Sequence, residues 1–313
     1  MIRILSSVLI AILILCGCSV KKDNHAQVVC TTSMITDVVS IIAGEELTVA
    51  GLMGPGVDPH LYKASAKDVR LLDNAEIVFY NGLDLEAKMH EFLVQLSSKK
   101  TVVALGETLD KQVLIKVDEQ LYDPHIWFDL DLFSTVILEI KNQLQKKYPK
   151  FKNTFDKNYT ELKKRFEKLA LSNNNAISSL SKHQRILITA HDAFGYFGRA
   201  YDFEVIGLQG VSTQSEAGLA DVSKLAQLIV SKKVPAIFVE SSISPRQIKA
   251  VQEAVKAQGF HVEIGGQLFS DALGQEGSPE ATYLGMFEHN INTIVTALST
   301  DKKNLNGIGS QHD

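Results

Sequence analysis

Short apolar runs alternate with longer amphipathic stretches along most of this 313-residue chain. Apolar runs bounded by turn-forming residues are typical of buried strands, and the stretches between them have the apolar spacing of helices. Strands are predicted at residues 28–31, 47–52, 77–80, 101–104, 185–189, 205–208, 236–239 and 261–264. Helices are predicted near residues 34–43, 65–74, 84–97, 193–201, 220–232, 245–258 and 279–299. This alternation predicts an α/β fold of two lobes, each a mostly parallel four-stranded sheet with flanking helices.

The middle of the chain, from residue 130 to about residue 181, contains no convincing strand. Its apolar positions keep helical spacing and are interrupted only at Tyr148 and Pro149. The second piece would form a helix roughly 39 Å long, at about 1.5 Å per residue. We therefore expect one long linking helix, at 151–181, between an N-terminal lobe at 27–150 and a C-terminal lobe at 182–313. Such a helix would act as a stiff spine.

The N-terminus has the pattern of an export signal. Arg3 precedes a largely apolar stretch over residues 4–15, which is too short to span a bilayer but typical of a signal peptide. The stretch ends in Leu-Cys-Gly-Cys, which resembles the lipobox of bacterial lipoproteins. This predicts a signal peptide at 1–17, lipidation of Cys18 and a short tether at 18–26. A secretory signal that is simply cleaved is the alternative.

Composition narrows the classes of function. The formal net charge is −4 at pH 7, so the chain lacks the basic footprint expected of a nucleic-acid-binding protein. Cys30 is the only cysteine beyond the lipobox, which excludes an internal disulfide in the mature chain. No Gly-rich loop ending in Lys-Ser/Thr occurs, so an ATP-driven process would need another subunit.

Candidate metal chemistry lies in four residues that are far apart in the chain: His60, His125, His191 and Asp271. Three imidazoles and one carboxylate are a common ligand set for Zn²⁺, Mn²⁺ or Fe²⁺ and a poor one for Ca²⁺ or Mg²⁺. The wide spacing excludes a local zinc-finger motif, so these side chains can meet only where two parts of the fold face each other. For Asp271, a turn cap is the alternative interpretation.

Six segments around these positions occur in a recognisable order. They are Thr-Thr-Ser-Met at 31–34, Gly-Pro-Gly-Val-Asp-Pro-His at 54–60, Asp-Pro-His-Ile-Trp-Phe-Asp at 123–129, Ala-His-Asp-Ala-Phe-Gly-Tyr-Phe at 190–197, Val-Glu-Ser-Ser at 239–242 and Phe-Ser-Asp at 269–271. Together they resemble the metal-binding solute-binding lipoproteins of bacterial ABC transporters, the TroA-like zinc and manganese receptors. The resemblance spans nearly the whole mature chain. It implies that His60 and His125 bind one metal ion from the N-terminal lobe, with His191 and Asp271 binding it from the C-terminal lobe.

The same resemblance implies a receptor and not an enzyme. It would capture Zn²⁺, Mn²⁺ or Fe²⁺ as the transported ligand and deliver it to a membrane permease that works with a separate ATPase subunit. The expected location is the periplasm or the outer face of the cytoplasmic membrane, where a lipid anchor would hold a monomer.

The identity of the metal stays open at this stage. Manganese-specific members of the family have glutamate at the third ligand position, where this chain has His191. Members dedicated to zinc carry a His-rich loop before the second histidine, whereas residues 107–123 contain no histidine. Glu240 follows an apolar strand and is a candidate for holding an imidazole from behind, with an ordinary charge at the end of a strand as the alternative.

Two other functions are compatible with parts of the pattern. A metallohydrolase would use the same kinds of residue, but four protein ligands leave no water position in a tetrahedral site, and no His-Glu-x-x-His motif occurs. A surface adhesin is the other alternative, and nothing in the sequence supports a host-protein interface. Because neutral imidazoles bind metals, we expect affinity to fall as the pH drops through about 6.5.

Overall fold

The computed structural model describes residues 25–299, and its first lobe is built on one parallel sheet. The strands are β1 (Val28–Cys30), β2 (Val49–Gly51), β3 (Ile77–Tyr80) and β4 (Thr101–Ala104), in the order β2-β1-β3-β4. All three strand pairings are parallel. Helices α1 (Ser33–Ala43), α2 (Ala66–Asn74) and α3 (His90–Ser97) connect them. The predicted strand-and-helix alternation is therefore present in this lobe.

Two helices without an intervening strand occupy the middle of the chain, as the sequence predicts. Helix α4 (Leu130–Lys147) ends at Tyr148, and Pro149 opens a short turn before α5 (Lys152–Ile177). Proline lacks the N–H that would continue α4, and its fixed φ suits the start of a new helical segment. The 26-residue α5 is the long spine helix.

The second lobe contains β5 (Ile186–His191), β6 (Glu204–Gln209), β7 (Ala236–Glu240) and β8 (Glu263–Leu268). Backbone hydrogen bonds group them as two parallel pairs, β5 with β6 and β7 with β8, and β5 also contacts β7. Helices α6 (Gly195–Tyr201), α7 (Leu219–Lys232), α8 (Arg246–Ala257) and α9 (Tyr283–Leu298) complete the lobe. The two-lobed α/β class is thus confirmed, but the predicted single four-stranded sheet is present only in the first lobe, because backbone hydrogen bonds do not join the two pairs of the second lobe.

One predicted strand is misplaced. Residues 261–264 are predicted as a strand, but β8 begins at Glu263 and continues through Gly265 and Gly266 to Leu268. Glycine is depleted in strands, so the prediction stops at residue 264. Packing decides otherwise, because a Cβ at Gly265 would lie 2.6 Å from the Ala297 Cβ.

The spine helix contacts both lobes. On the N-terminal side, the Asn158 amide donates to the carbonyl of Ile42 in α1 over 3.1 Å. On the C-terminal side, the Phe166 ring stacks on Tyr283 of α9 with ring centroids 5.1 Å apart and planes 4° apart. One of the apolar core clusters, which includes Val28, Phe166 and Leu298, extends through these contacts. No helix among residues 25–299 is both long and apolar enough to cross a bilayer.

We predict that Phe166→Ala destabilises the metal-free protein strongly, because the ring is 3% exposed at the junction of spine and lobe. Such a truncation lowers the free energy of unfolding by about 3–5 kcal/mol. Leu171→Ala is the matched control, because Leu171 lies on the same helix and is 64% exposed. Its effect should stay within about 0.5 kcal/mol. Urea unfolding of both variants is the measurement, and equal effects would contradict the role given to the spine contact.

Candidate metal centre

The four candidate ligands come from the carboxyl ends of strands in both lobes. His60 lies in the loop after β2 and His125 in the loop after β4, whereas His191 is the last residue of β5 and Asp271 follows β8. Carboxyl ends of parallel strands are where α/β folds place ligand sites. The structure brings all four together, with one potential ligand atom from each lying within 4.8 Å of the others, and all four residues are buried.

The separations of these atoms match the edges of a coordination polyhedron. The Nε2 atoms of His60 and His125 are 3.4 Å apart. Oxygens of Asp271 lie 3.8 Å from His60 Nε2, 3.5 Å from His125 Nε2 and 3.2 Å from His191 Nε2. Ligand atoms about 2.0–2.1 Å from a tetrahedral ion lie about 3.3–3.4 Å from one another. The site therefore has the size that a transition-metal ion requires.

Short turns place the two histidines of the N-terminal lobe. The Asp58 carboxylate accepts from the backbone N–H of His60 over 2.9 Å, and Asp123 accepts from the N–H of His125 over 2.9 Å. An aspartate that bonds to the backbone two residues further on makes a local turn, and the intervening proline limits the backbone further. The two Asp-Pro-His segments thus fix the backbone position from which each imidazole extends.

Carboxylates also hold two of the three imidazoles from behind. Asp123 Oδ1 lies 2.7 Å from His125 Nδ1, and Glu240 Oε2 lies 2.6 Å from His191 Nδ1. The other oxygen of Glu240 accepts from the backbone N–H of His191 over 2.9 Å. A carboxylate at Nδ1 leaves Nε2 directed at the metal and raises its basicity. Glu240 therefore contacts His191 at both its ring and its backbone, and its role in holding the imidazole stays a prediction.

Asp123 has a second contact that the sequence does not reveal. Besides its bond to the backbone of the turn, the same carboxylate faces the imidazole of His125. The Asp-x-His spacing is the only signal for this contact. Among the described residues, no ion pair joins a carboxylate to Nδ1 of His60, and the contact of this imidazole with an acid runs from Nε2 to Asp271.

Trp127 connects the ligand loops of the two lobes. Its ring is 1% exposed, and its centroid lies 5.2 Å from that of His125. The indole N–H donates to the carbonyl of Ser270, directly before Asp271, over 3.0 Å. Tyr283 donates its hydroxyl to the Trp127 carbonyl over 2.6 Å. The buried side chain forms a wall of the site, and it also fixes the backbone that carries Asp271.

Burial and charge shift the pKa values inside the site in opposite directions. Burial lowers the pKa of His60 to about 3, against the attraction of Asp271. Burial also disfavours a charged His191, but the carboxylates of Glu240 and Asp271 outweigh it and hold the pKa of His191 well above its ordinary value. For Asp271, burial would raise the pKa, yet the facing imidazoles, above all His191, lower it below its usual range. In the absence of an ion, the carboxylates of Glu240 and Asp271 therefore favour the protonated form of His191.

Comparisons with known proteins agree with this geometry. The family described as "Zinc-uptake complex component A periplasmic" (ZnuA) matches residues 28–297. The zinc-binding protein TroA of Treponema pallidum (strain Nichols) is 47% identical over 277 residues, covering 88% of this chain and 90% of TroA. The manganese-binding lipoprotein MntA of Bacillus subtilis (strain 168) is 44% identical over 301 residues, covering 94% and 98%. The solved structure of periplasmic TroA from Treponema pallidum has a TM-score of 0.86 and covers 88% of this chain and 99% of that one.

Two parallel α/β lobes that close over a buried set of imidazoles and one carboxylate define a solute-binding protein for metal ions. The chain belongs to the ZnuA family of periplasmic zinc-uptake components. Members of this family are substrate-binding receptors and not enzymes, as the sequence predicts, so the metallohydrolase alternative is not supported.

We predict that metal binding releases about one proton per ion at neutral pH, because the metal must displace the proton on His191. That proton stabilises the metal-free fold below the ordinary imidazole pKa of about 6.5, and the contribution is lost as the pH rises through the higher folded value. Apparent affinity should therefore rise with pH, and the rise should continue above pH 6.5, because the pKa of His191 is raised above that ordinary value. Unperturbed imidazoles would instead give a fall confined to pH values below about 6.5. Titration calorimetry in buffers of different ionisation enthalpy measures the released protons, and a value near zero would refute this account.

We also predict that Glu240→Gln weakens metal binding about 10- to 100-fold, since the carboxylate that faces His191 Nδ1 is lost. Proton release should fall in the same variant, because the amide no longer raises the pKa of His191. Glu253→Gln is the matched control, as it removes one carboxylate from an exposed position on α8. Competition titration against a chelator gives both affinities. Equal affinities in the two variants would remove Glu240 from the site.

Proposed function

We propose that this protein captures one divalent transition-metal ion between its lobes outside the cytoplasm and delivers it to an ABC permease for import. His60, His125, His191 and Asp271 are the proposed ligands. The observation that carries the proposal is the meeting of four buried potential ligand atoms, two from each lobe, within 4.8 Å of one another. Zinc and manganese are the proposed cargo, and Fe²⁺ is compatible with the same ligands.

The arrangement favours capture over catalysis. Hydrolytic zinc sites keep a coordination position open for water, whereas here four protein ligands complete a tetrahedral set. The four residues are at most 2% exposed, so a substrate could not reach a bound ion without opening of the lobes. A transported ion needs no substrate access. It must be shielded from solvent while it is bound and then released unchanged.

Both zinc and manganese are compatible with the ligand set and with the metals named for the relatives. TroA is described as zinc-binding and MntA as manganese-binding, and they are 47% and 44% identical to this chain. Three neutral nitrogens and one anion follow the general order of affinity, in which zinc binds more tightly than manganese. If Asp271 binds through both oxygens, the site becomes five-coordinate and accommodates manganese better. We therefore propose that availability of the metal, and not affinity alone, decides the cargo.

The permease and a separate ATPase subunit are the proposed partners, in line with the substrate-binding role of the family. Cys18, the proposed lipid-anchor site, and the signal peptide at 1–17 lie outside the described residues, although MntA is itself named a lipoprotein. We propose a monomer anchored at the outer face of the cytoplasmic membrane or held in the periplasm. The division into lobes at 27–150 and 182–313 around a linking segment at 151–181 is part of the same proposal.

We predict that the purified protein binds one equivalent of Zn²⁺ and that His60→Ala abolishes this tight binding. Removing one of four ligands opens a coordination position to water. This weakens zinc binding and removes one of the bonds through which the ion holds the two lobes together. Free zinc at about 1,000 times the dissociation constant should stabilise the parent protein by about 4 kcal/mol. His90→Ala is the control, because His90 is an exposed histidine of the same lobe.

Thermal unfolding with and without Zn²⁺, together with metal analysis after gel filtration, measures both quantities. The proposed function requires a large shift in the parent protein and in His90→Ala, with little or none in His60→Ala. If no metal stabilises the parent protein, the proposal fails.

A further inference from the structure

The loop between β6 and α7 crosses from the C-terminal lobe to the N-terminal lobe. We term residues 210–218 the clasp loop. Thr213 donates its hydroxyl to Asp58 Oδ2 over 2.6 Å, and the next residue, Gln214, accepts from Lys88 Nζ over 3.0 Å. Two neighbouring side chains of one lobe thus bind two separate segments of the other lobe. Neither of them belongs to the four candidate ligands.

The Asp58 carboxylate joins this contact to the metal site. Its Oδ1 accepts from the backbone N–H of His60 over 2.9 Å, while Oδ2 accepts from Thr213. The turn that places the first candidate ligand is therefore also the point that the opposite lobe grips. A movement that separates the lobes must break the bond from Thr213 and leave Asp58 to hold the His60 turn alone.

The two cross-lobe bonds of the clasp loop differ in strength. Thr213 is 8% exposed and bonds to a carboxylate, so its hydrogen bond is charge-assisted and poorly accessible to competing water. The bond between Lys88 and Gln214 is exposed, and side-chain pairs in water contribute little. The contact from Thr213 to Asp58 therefore dominates the hold of this loop on the N-terminal lobe.

We propose that the clasp loop sets how long the metal stays bound, with Thr213 as a positioning residue that acts through Asp58 on His60. The inference rests on the proposed function and adds to it a residue that controls release without touching the ion. The bond exists only while the lobes are closed. Losing it should therefore speed opening and release, with little effect on the encounter with the ion.

The test compares rates of zinc release in the full-length protein. Thr213→Val keeps the shape of the side chain and removes the donor, and Thr213→Ser restores a hydroxyl. Ser212→Ala is the matched control, since the Ser212 hydroxyl only accepts from Gln214 N within the same loop, over 3.4 Å. Each protein is loaded with Zn²⁺ and mixed with an excess of a chromogenic chelator, which reports the released ion. Association rates and the melting temperatures of the metal-free proteins are measured in parallel.

Because Thr213→Val loses a hydrogen bond to a charged group, we expect it to release zinc roughly tenfold faster than the parent protein. Thr213→Ser and Ser212→Ala should stay near the parent rate, and association rates should not change. In the variants without the donor, the melting temperature should fall more in the zinc-bound protein than in the metal-free protein. Thr213→Ala is a second variant without the donor, and it should release zinc at least as fast as Thr213→Val.

Three outcomes would overturn the inference. Equal release rates in the parent protein and in both variants without the donor would reject the clasp while leaving the proposed function intact. An equal loss of stability in the metal-free and zinc-bound variants would show an ordinary structural role. Failure of the parent protein to bind zinc would reject the proposed function, and the clasp with it.

Discussion

Burial of the Asp271 carboxylate is the constraint on which the rest of the site depends. The residue is 2% exposed, and its oxygens face three imidazoles. An ionised carboxylate away from water needs a cation nearby, because the loss of hydration otherwise costs several kcal/mol. In the metal-free protein the proton on His191 provides that charge. A divalent ion provides more of it, and this difference couples metal binding to the release of a proton.

Further carboxylates lie behind the imidazoles that face Asp271. Asp123 and Glu240 add two more carboxylates within 2.7 Å of the imidazoles. The site requires contributions from both lobes, since each lobe supplies two of the four candidate ligands. The spine helix and Trp127 meet this requirement because each contacts both lobes and keeps them close together.

Part of this organisation is readable from the sequence because it is local. The Asp-Pro-His turns at His60 and His125 determine their own backbone, and α5 shows itself through helical spacing that starts after Pro149. Their meeting point is not local, and only the ordered resemblance to a family indicated it. Contacts whose direction depends on tertiary packing could not be predicted. The contact of Asp123 with His125 depends on how the imidazole is oriented, and the contact of Thr213 with Asp58 depends on where the other lobe lies. Strand β8 runs through two glycines because α9 packs closely against them.

We propose that one metal ion binds to three imidazoles and one carboxylate drawn from both lobes. The decisive experiment is a crystal structure of the zinc-loaded protein with anomalous diffraction recorded at the zinc edge. We expect a single strong peak about 2.0–2.2 Å from one nitrogen each of His60, His125 and His191 and from an oxygen of Asp271. A peak bound by other residues, or by the ligands of one lobe alone, would contradict it.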